Sequence, residues 1–361
     1  MRTHVIVPLL LAPMILAWPV SAKSDKGRSY SIEIETGFNT TYDDNVFRRT
    51  NEERDEFKNA PNTGKWENIE TIDDLINAVW VQGTYSQGNT RIIGKAKQYS
   101  YWQNWAKSFH LYSLNIRRTL GKRFYGYLDY RYVPRYYIRQ IYSEVTRDYE
   151  AYDYAKHRVA LEFRKGLLKK GVLWVRGHAR YEHEDYPESF DEYDFDAYAF
   201  EAEASYKVNN DVKCGAEGLF RSVNCVGYVS PRDTGEIVDL RRDSDASYEE
   251  NTLELYADYD LPAKLFGRTP TLGVRGSVDK KVYTTDISVY DDPYHAGRED
   301  LKYGLRVDLS MSFSYGMSAL LEYEWQERTV ESESEADLGE EKDFTSNAVS
   351  LEISFEHTLL D

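Results

Sequence analysis

From residue 30 onward the chain alternates apolar and polar side chains with a period of two, which is the repeat of a strand with two different faces. Tyr30, Ile32, Ile34, Thr36 and Phe38 interleave with Ser31, Glu33, Glu35 and Gly37. The same alternation returns near 75–85, 91–102, 109–120, 123–135, in a segment ending at 163, and near 173–182. It continues near 198–207, 213–226, 253–259, 272–278, 301–313, 321–325 and 349–357. Tight turns at Gln87-Gly88-Asn89, Gly121-Lys122 and Asn209-Asn210 alternate with long polar connections around 42–70, 140–152, 231–235, 291–293 and 331–340. This rhythm predicts an all-β fold: a closed antiparallel transmembrane β-barrel of about fourteen strands, with short periplasmic turns and long extracellular loops. A β-sandwich needs only about seven to nine strands per domain, and a propeller would repeat a blade motif that the chain lacks.

The N terminus sets the compartment. Arg2 and His4 open an apolar stretch from Val5 to Trp18, too short to span a bilayer, and Val20-Ser21-Ala22 supplies small residues for cleavage after Ala22. The expected organisation is a signal peptide over 1–22, a short periplasmic segment over 23–29 and the barrel over 30–361. No later segment reaches the ~20 apolar residues of a spanning helix.

Net charge −16 and mean hydropathy −0.65 are values of a soluble acidic protein. The 31 tyrosines and 7 tryptophans argue the other way, because barrels spend such residues on aromatic girdles at the two water–lipid boundaries. Two cysteines, Cys214 and Cys225, exclude a disulfide framework. On one strand they are separated by roughly 11 × 3.3 Å and cannot pair.

Assigning each apolar row to lipid leaves the opposite row for the lumen. Strands three to seven then contribute a basic arc of Arg91, Lys95, Lys97, Arg117, Arg123, Arg131, Arg135, Arg158, Arg164, Arg176 and Arg180. Strands eight to fourteen contribute an acidic arc that includes Glu201, Glu203, Glu254, Asp258, Asp308, Glu322 and Glu324. Such a division predicts a transverse field across an aqueous bore, unless the charges pair across a narrow interior. Inward Tyr125, Tyr127 and Trp174 beside the arginines form a candidate saccharide track, with ring faces for stacking and guanidinium groups for hydroxyls. They serve equally as space-filling rings.

The function expected is a channel passing hydrophilic solutes, saccharides or exopolysaccharide among them. The competing reading is a non-conducting barrel whose loops bind envelope or polysaccharide partners. An enzyme is not expected: the chain has no G-x-S-x-G elbow, no H-E-x-x-H and no phosphate-binding glycine loop, so no catalytic residue, metal or cofactor is assigned. His178, near Glu182, reads as a polar lumen residue. Expected partners are outer-membrane lipid and lipopolysaccharide, the barrel-assembly machinery and a hydrophilic solute. An exterior this negative excludes nucleic acid. Acidic positions Asp291, Asp292, Glu331, Glu333, Glu335 and Asp337 read as a solvated outer surface.

Tyr42-Asp43-Asp44-Asn45-Val46-Phe47-Arg48, at the end of the first strand, resembles the opening motif of the porin-2 type of outer-membrane barrel, a group that includes barrels associated with exopolysaccharide biosynthesis and export. The resemblance implies a Gram-negative outer-membrane location and a link to polysaccharide passage. One departure is the C terminus, where Phe355 is followed by a tail to Asp361 instead of closing the chain on an aromatic residue.

Overall fold

The computed structural model describes residues 30–360 except 62, 67–68, 144–146, 169–171, 188–189, 191–192, 226–244, 314–315 and 334–341. The expected leader and the segment after it lie outside the described residues. Fourteen strands follow one another. They are β1 (Tyr30–Asp43), β2 (Asp74–Gln87), β3 (Thr90–Tyr101), β4 (Phe109–Gly121), β5 (Phe124–Ser143), β6 (Asp148–Leu167) and β7 (Leu173–Asp185). Then come β8 (Phe195–Lys207), β9 (Val212–Cys225), β10 (Tyr248–Asp260), β11 (Thr271–Tyr283), β12 (Glu299–Ser312), β13 (Met317–Glu331) and β14 (Phe344–Leu360). Each pairs antiparallel with the next, and β14 returns to β1 with Phe38 opposite Ile353 and Tyr42 opposite Val349, so no strand edge is left open.

The sequence alternation maps directly onto the two faces. Phe38, Val79, Leu114, Leu161, Phe200, Leu253, Leu255, Leu321 and Phe355 all point outward and exposed, an arrangement that only an apolar solvent rewards. Tyr85, Tyr206 and Tyr259 ring this belt near one end and Tyr42, Tyr181 and Tyr198 near the other. A closed fourteen-strand barrel with such a belt is a bacterial outer-membrane protein. Even-to-odd connections are mostly tight. At 208–211 the Asn209 side-chain oxygen accepts the N–H groups of Asp211 and Val212 at 2.8 Å, and at 88–89 Gly88 supplies the left-handed φ of +54° that the turn requires. Cys214 and Cys225 both lie on β9 and are free thiols.

Three elements depart from the sequence pattern. The connection expected over 140–152 is mostly strand, because β5 and β6 continue past the barrel as a tall hairpin joined by ring contacts such as Tyr136 against Tyr154, with centroids 5.4 Å apart. The tail after Phe355 is not an appendage either, since β14 stays paired with β1 as far as Leu360 opposite Ile32. The connection expected over 42–70 carries a helix, α1 (Asn51–Asn59), whose N-cap Thr50 accepts the N–H of Glu53 at 3.1 Å.

That first connection is latched onto the barrel by the motif at the end of β1. Asp43 accepts the N–H of Asn45 at 2.9 Å and the Arg48 guanidinium at 2.8 Å. Asn45 is fully buried and donates to the carbonyls of Arg49 (2.7 Å) and Thr345 (3.1 Å), while Asp44 accepts both the backbone and side-chain N–H groups of Asn347. The motif therefore clamps the seam where β14 meets β1. A second anchor is Asn104, also fully buried. It accepts the N–H of Glu70 at 3.0 Å and donates to Thr71 and to Asp74, which in turn accepts three backbone N–H groups of the 102–108 connection. Trp66, Ile69 and Ile72 pack beside it with Phe47 and Phe57. Asn104→Ala strands buried donors and acceptors of both connections, a loss of about 1–3 kcal/mol. The expected outcome is a lower unfolding temperature in detergent, while the far-ultraviolet strand signal is retained.

Candidate functional site

Every strand of the barrel turns one row inward, and the cross-strand register shows which inward residues meet. One circumferential row runs Thr119, Tyr125, Arg164, Arg176, Glu203, Glu217 and Glu254 from β4 to β10. Another, nearer the extracellular end, runs Ser113, Arg131, Arg158 and Glu182 from β4 to β7. Arg91, Lys95, Arg117 and Arg180 join the inward rows of β3, β4 and β7, as the alternation predicts.

Two members of the expected basic arc do not. Arg123 sits at the periplasmic turn between β4 and β5 with φ of +56°, and its guanidinium donates to the Leu168 carbonyl at 3.1 Å, tying adjacent turns together. Arg135 falls in a bulge where Pro134 and Arg135 together oppose the single Ala155, so it leaves the inward row and pairs with Asp153 at 2.6 Å in the open. A one-residue bulge exchanges the faces of everything after it, and the sequence gives no sign of it beyond the proline.

The charges are also not divided into one basic and one acidic wall. They gather in two opposite hubs on β7. Arg176 faces four carboxylates: Glu201 in direct contact, Glu217 at 2.6 Å, Glu203 at 3.0 Å and Glu162 at 4.0 Å. Six positions along the same strand, Glu182 faces four cations: Arg221 at 2.9 Å, Lys156 and Arg180 at 3.2 Å, and Arg158 at 4.0 Å. Successive inward positions of one strand thus carry a locally acidic and a locally basic region roughly 20 Å apart along the bore. To the expected transverse asymmetry the fold adds an axial one. His178 lies between the hubs with Nδ1 3.4 Å from Glu201, so it belongs to this network.

On the acidic arc the pairing is looser. Arg275 bridges Glu254 (3.5 Å) and Asp258 (4.0 Å), and Arg306 lies between Glu322 (3.6 Å) and Glu324 (3.7 Å). Asp308 stands over Gly273, whose missing side chain leaves room for the carboxylate. On the opposite wall, Lys95, Arg117 and Arg164 make no ion pair among the described residues and rest on rings. Lys95 lies 3.8 Å from the Trp80 centroid, Arg117 4.3 Å from that of Tyr125 and 5.7 Å from that of Tyr127, and Arg164 4.8 Å from that of Trp174. Tyr125 and Trp174 stack on each other at 6.1 Å.

Tyrosine is not confined to the outer girdles. A continuous chain of rings, Tyr99, Phe109, Tyr136, Tyr154, Tyr186 and Tyr152, lines the extracellular mouth from β3 to the 186–194 connection at centroid spacings of 4.4–5.4 Å. Lys107, in the 102–108 connection, is buried against it, with Nζ 4.6 Å from the Phe47 centroid, 5.6 Å from that of Tyr136 and 3.5 Å from the Tyr137 carbonyl. Burial pushes the ammonium down from 10.5 to about 7; Arg48 and Arg49 push the same way, and Asp43 and Asp74 oppose them. The unfolded chain therefore binds the additional proton between pH 7 and 10.5, and stability should rise with pH across that interval. Thermal unfolding compared at pH 7 and pH 9.5 should show this rise, and Lys107→Met should flatten it while stabilising the mouth at pH 7.

No protein-family model matches the sequence, and no curated protein is significantly similar to it. Among solved structures the chain is similar to the outer-membrane channel DcaP of Acinetobacter baumannii, at 11% identity and TM-score 0.47 over 93% of this chain and 99% of that one. It is also similar to a bacterial polysaccharide outer-membrane secretin (7%, TM-score 0.44, 90% and 98%) and to OprD of Pseudomonas aeruginosa (9%, TM-score 0.40, 92% and 94%). The class itself rests on this chain's own strand register: a fourteen-strand outer-membrane β-barrel of channel-type architecture.

Proposed function

We propose that the barrel passes hydrophilic solutes across the outer membrane through a hydrated, charge-lined lumen. The observation that carries this reading is that inward charged side chains keep much of their solvent exposure: 40% for Arg91, 48% for Arg131, 43% for Lys213 and 43% for Arg306. A bore filled by paired side chains would bury these groups at a high desolvation cost. Fourteen strands also exceed the eight at which side chains fill a barrel. Saccharides are the finer form of the reading, supported by the alternation of Arg117, Tyr125, Arg164 and Trp174. Exopolysaccharide passage rests on the motif at Tyr42 to Arg48 alone. The test is purified protein in a planar bilayer. Ion current whose selectivity shifts toward cations in Arg131→Glu supports a pore, whereas a silent membrane with correctly folded protein contradicts it.

A further inference from the structure

Between the two hubs of β7 the lumen wall opens into a recess of about 330 Å³. Arg131 and Arg158 bound it toward the extracellular side, Glu162, Glu201 and Glu217 toward the periplasm, and His178 lies between them. The space exists because Ala160, between Asp129 on β5 and Arg180 on β7, contributes only a methyl group where its neighbours hold long side chains. Neither end of the recess is neutralised by its own partners. Arg176 is shared among four carboxylates, and Glu182 among four cations. Part of each excess is answered elsewhere, as in Asp129 with Arg131 (3.0 Å) and Lys156 with Glu184 (2.8 Å), and those bonds leave the polarity of the recess unchanged.

We propose that this recess is a binding site for a small zwitterion, its ammonium held by Glu162, Glu201 and Glu217 and its carboxylate by Arg131 and Arg158. A simple anion drawn to the arginines meets the three glutamates, and a simple cation meets the converse. A molecule with both charges satisfies both ends and adds no net charge to the lumen. Arg158 and Glu162 are four residues apart on β6, roughly 13 Å between Cα atoms. Their side chains shorten that span to the length of a short peptide, for which three extended residues reach about 10 Å. The volume lies at the small end of ligand cavities. The proposal rests on the channel reading in one respect, that solutes reach the lumen.

The test is calorimetric titration of the full chain in detergent with triglycine, N-acetyltriglycine and triglycine methyl ester. Triglycine should bind, and capping either end should weaken binding about tenfold or more, the factor carried by a hydrogen bond to a charged group. Glu217→Gln should reduce binding of triglycine and the ester but leave the acetylated peptide unchanged, and Arg158→Gln should do the reverse. Equal binding of all three peptides, ester binding as tight as triglycine, or no heat above dilution would each overturn the proposal. The capping series uses the unaltered protein, so a folding defect in a variant cannot decide the outcome. Ion current without triglycine binding sinks this site alone, and triglycine binding without current sinks the channel reading alone.

Discussion

Arg176→Gln is expected to shift the ion selectivity of the pore strongly toward cations. The substitution removes the single positive charge among Glu162, Glu201, Glu203 and Glu217 while keeping a planar polar side chain. Low-dielectric walls then concentrate the field of four unneutralised carboxylates into the water of the bore. The reversal potential under a potassium chloride gradient should move severalfold toward the potassium limit, and an unchanged potential would show that this hub does not face the conduction path. The stability cost should stay below the about 3–5 kcal/mol of breaking a fully buried pair, because Arg176 remains 27% exposed and water screens part of the repulsion.

Glu182→Gln should produce the opposite selectivity and the larger loss of stability. The Glu182 side chain is only 5% exposed and serves Lys156, Arg158, Arg180 and Arg221 together. Its removal leaves four cations in one another's field with little water between them, so the loss should approach the buried-pair range of about 3–5 kcal/mol. Anion permeability should rise, and unfolding in detergent should begin at a clearly lower temperature than for Arg176→Gln. The two variants thus test opposite ends of one axial charge pattern. Identical shifts in both would mean that net charge alone, and not its distribution along β7, governs selectivity.

The alternation that begins at Tyr30 made the fourteen strands, the closure and most inward rows legible, because period two is a local property that survives in any one segment. What lay beyond the sequence depends on register. Arg176 and Glu217 are 41 positions apart in sequence, and only the alignment of β7, β8 and β9 makes them neighbours. For the same reason the expected basic and acidic arcs are recognisable as strand groups but dissolve into hubs at the β7 and β8 boundary. Arg123 and Arg135 were misplaced by a turn and a bulge, features that one proline hardly announces. The tyrosine count pointed to girdles, whereas ring pairs across neighbouring strands also build the inner mouth. Asn45 stood in view within the motif at the end of β1, yet its bond to the Thr345 carbonyl spans 300 positions and required the closed barrel to exist. Asn104 and Lys107 had no signal at all, because a short polar connection does not reveal what folds over it.

The account stands on the inward row being wet and the outward row being in lipid. Single cysteines placed at Arg131 and Arg275 on the inner face and at Leu253 and Leu321 on the outer face, in a background where Cys214 and Cys225 are serine, measure this directly in proteoliposomes. A small charged thiol reagent should label the two inner positions rapidly and the two outer ones hardly at all, while a lipid-soluble maleimide should reverse that order. Equal labelling of all four by the charged reagent, or protection of Arg131→Cys and Arg275→Cys from it, would contradict the two-faced barrel with a hydrated lumen.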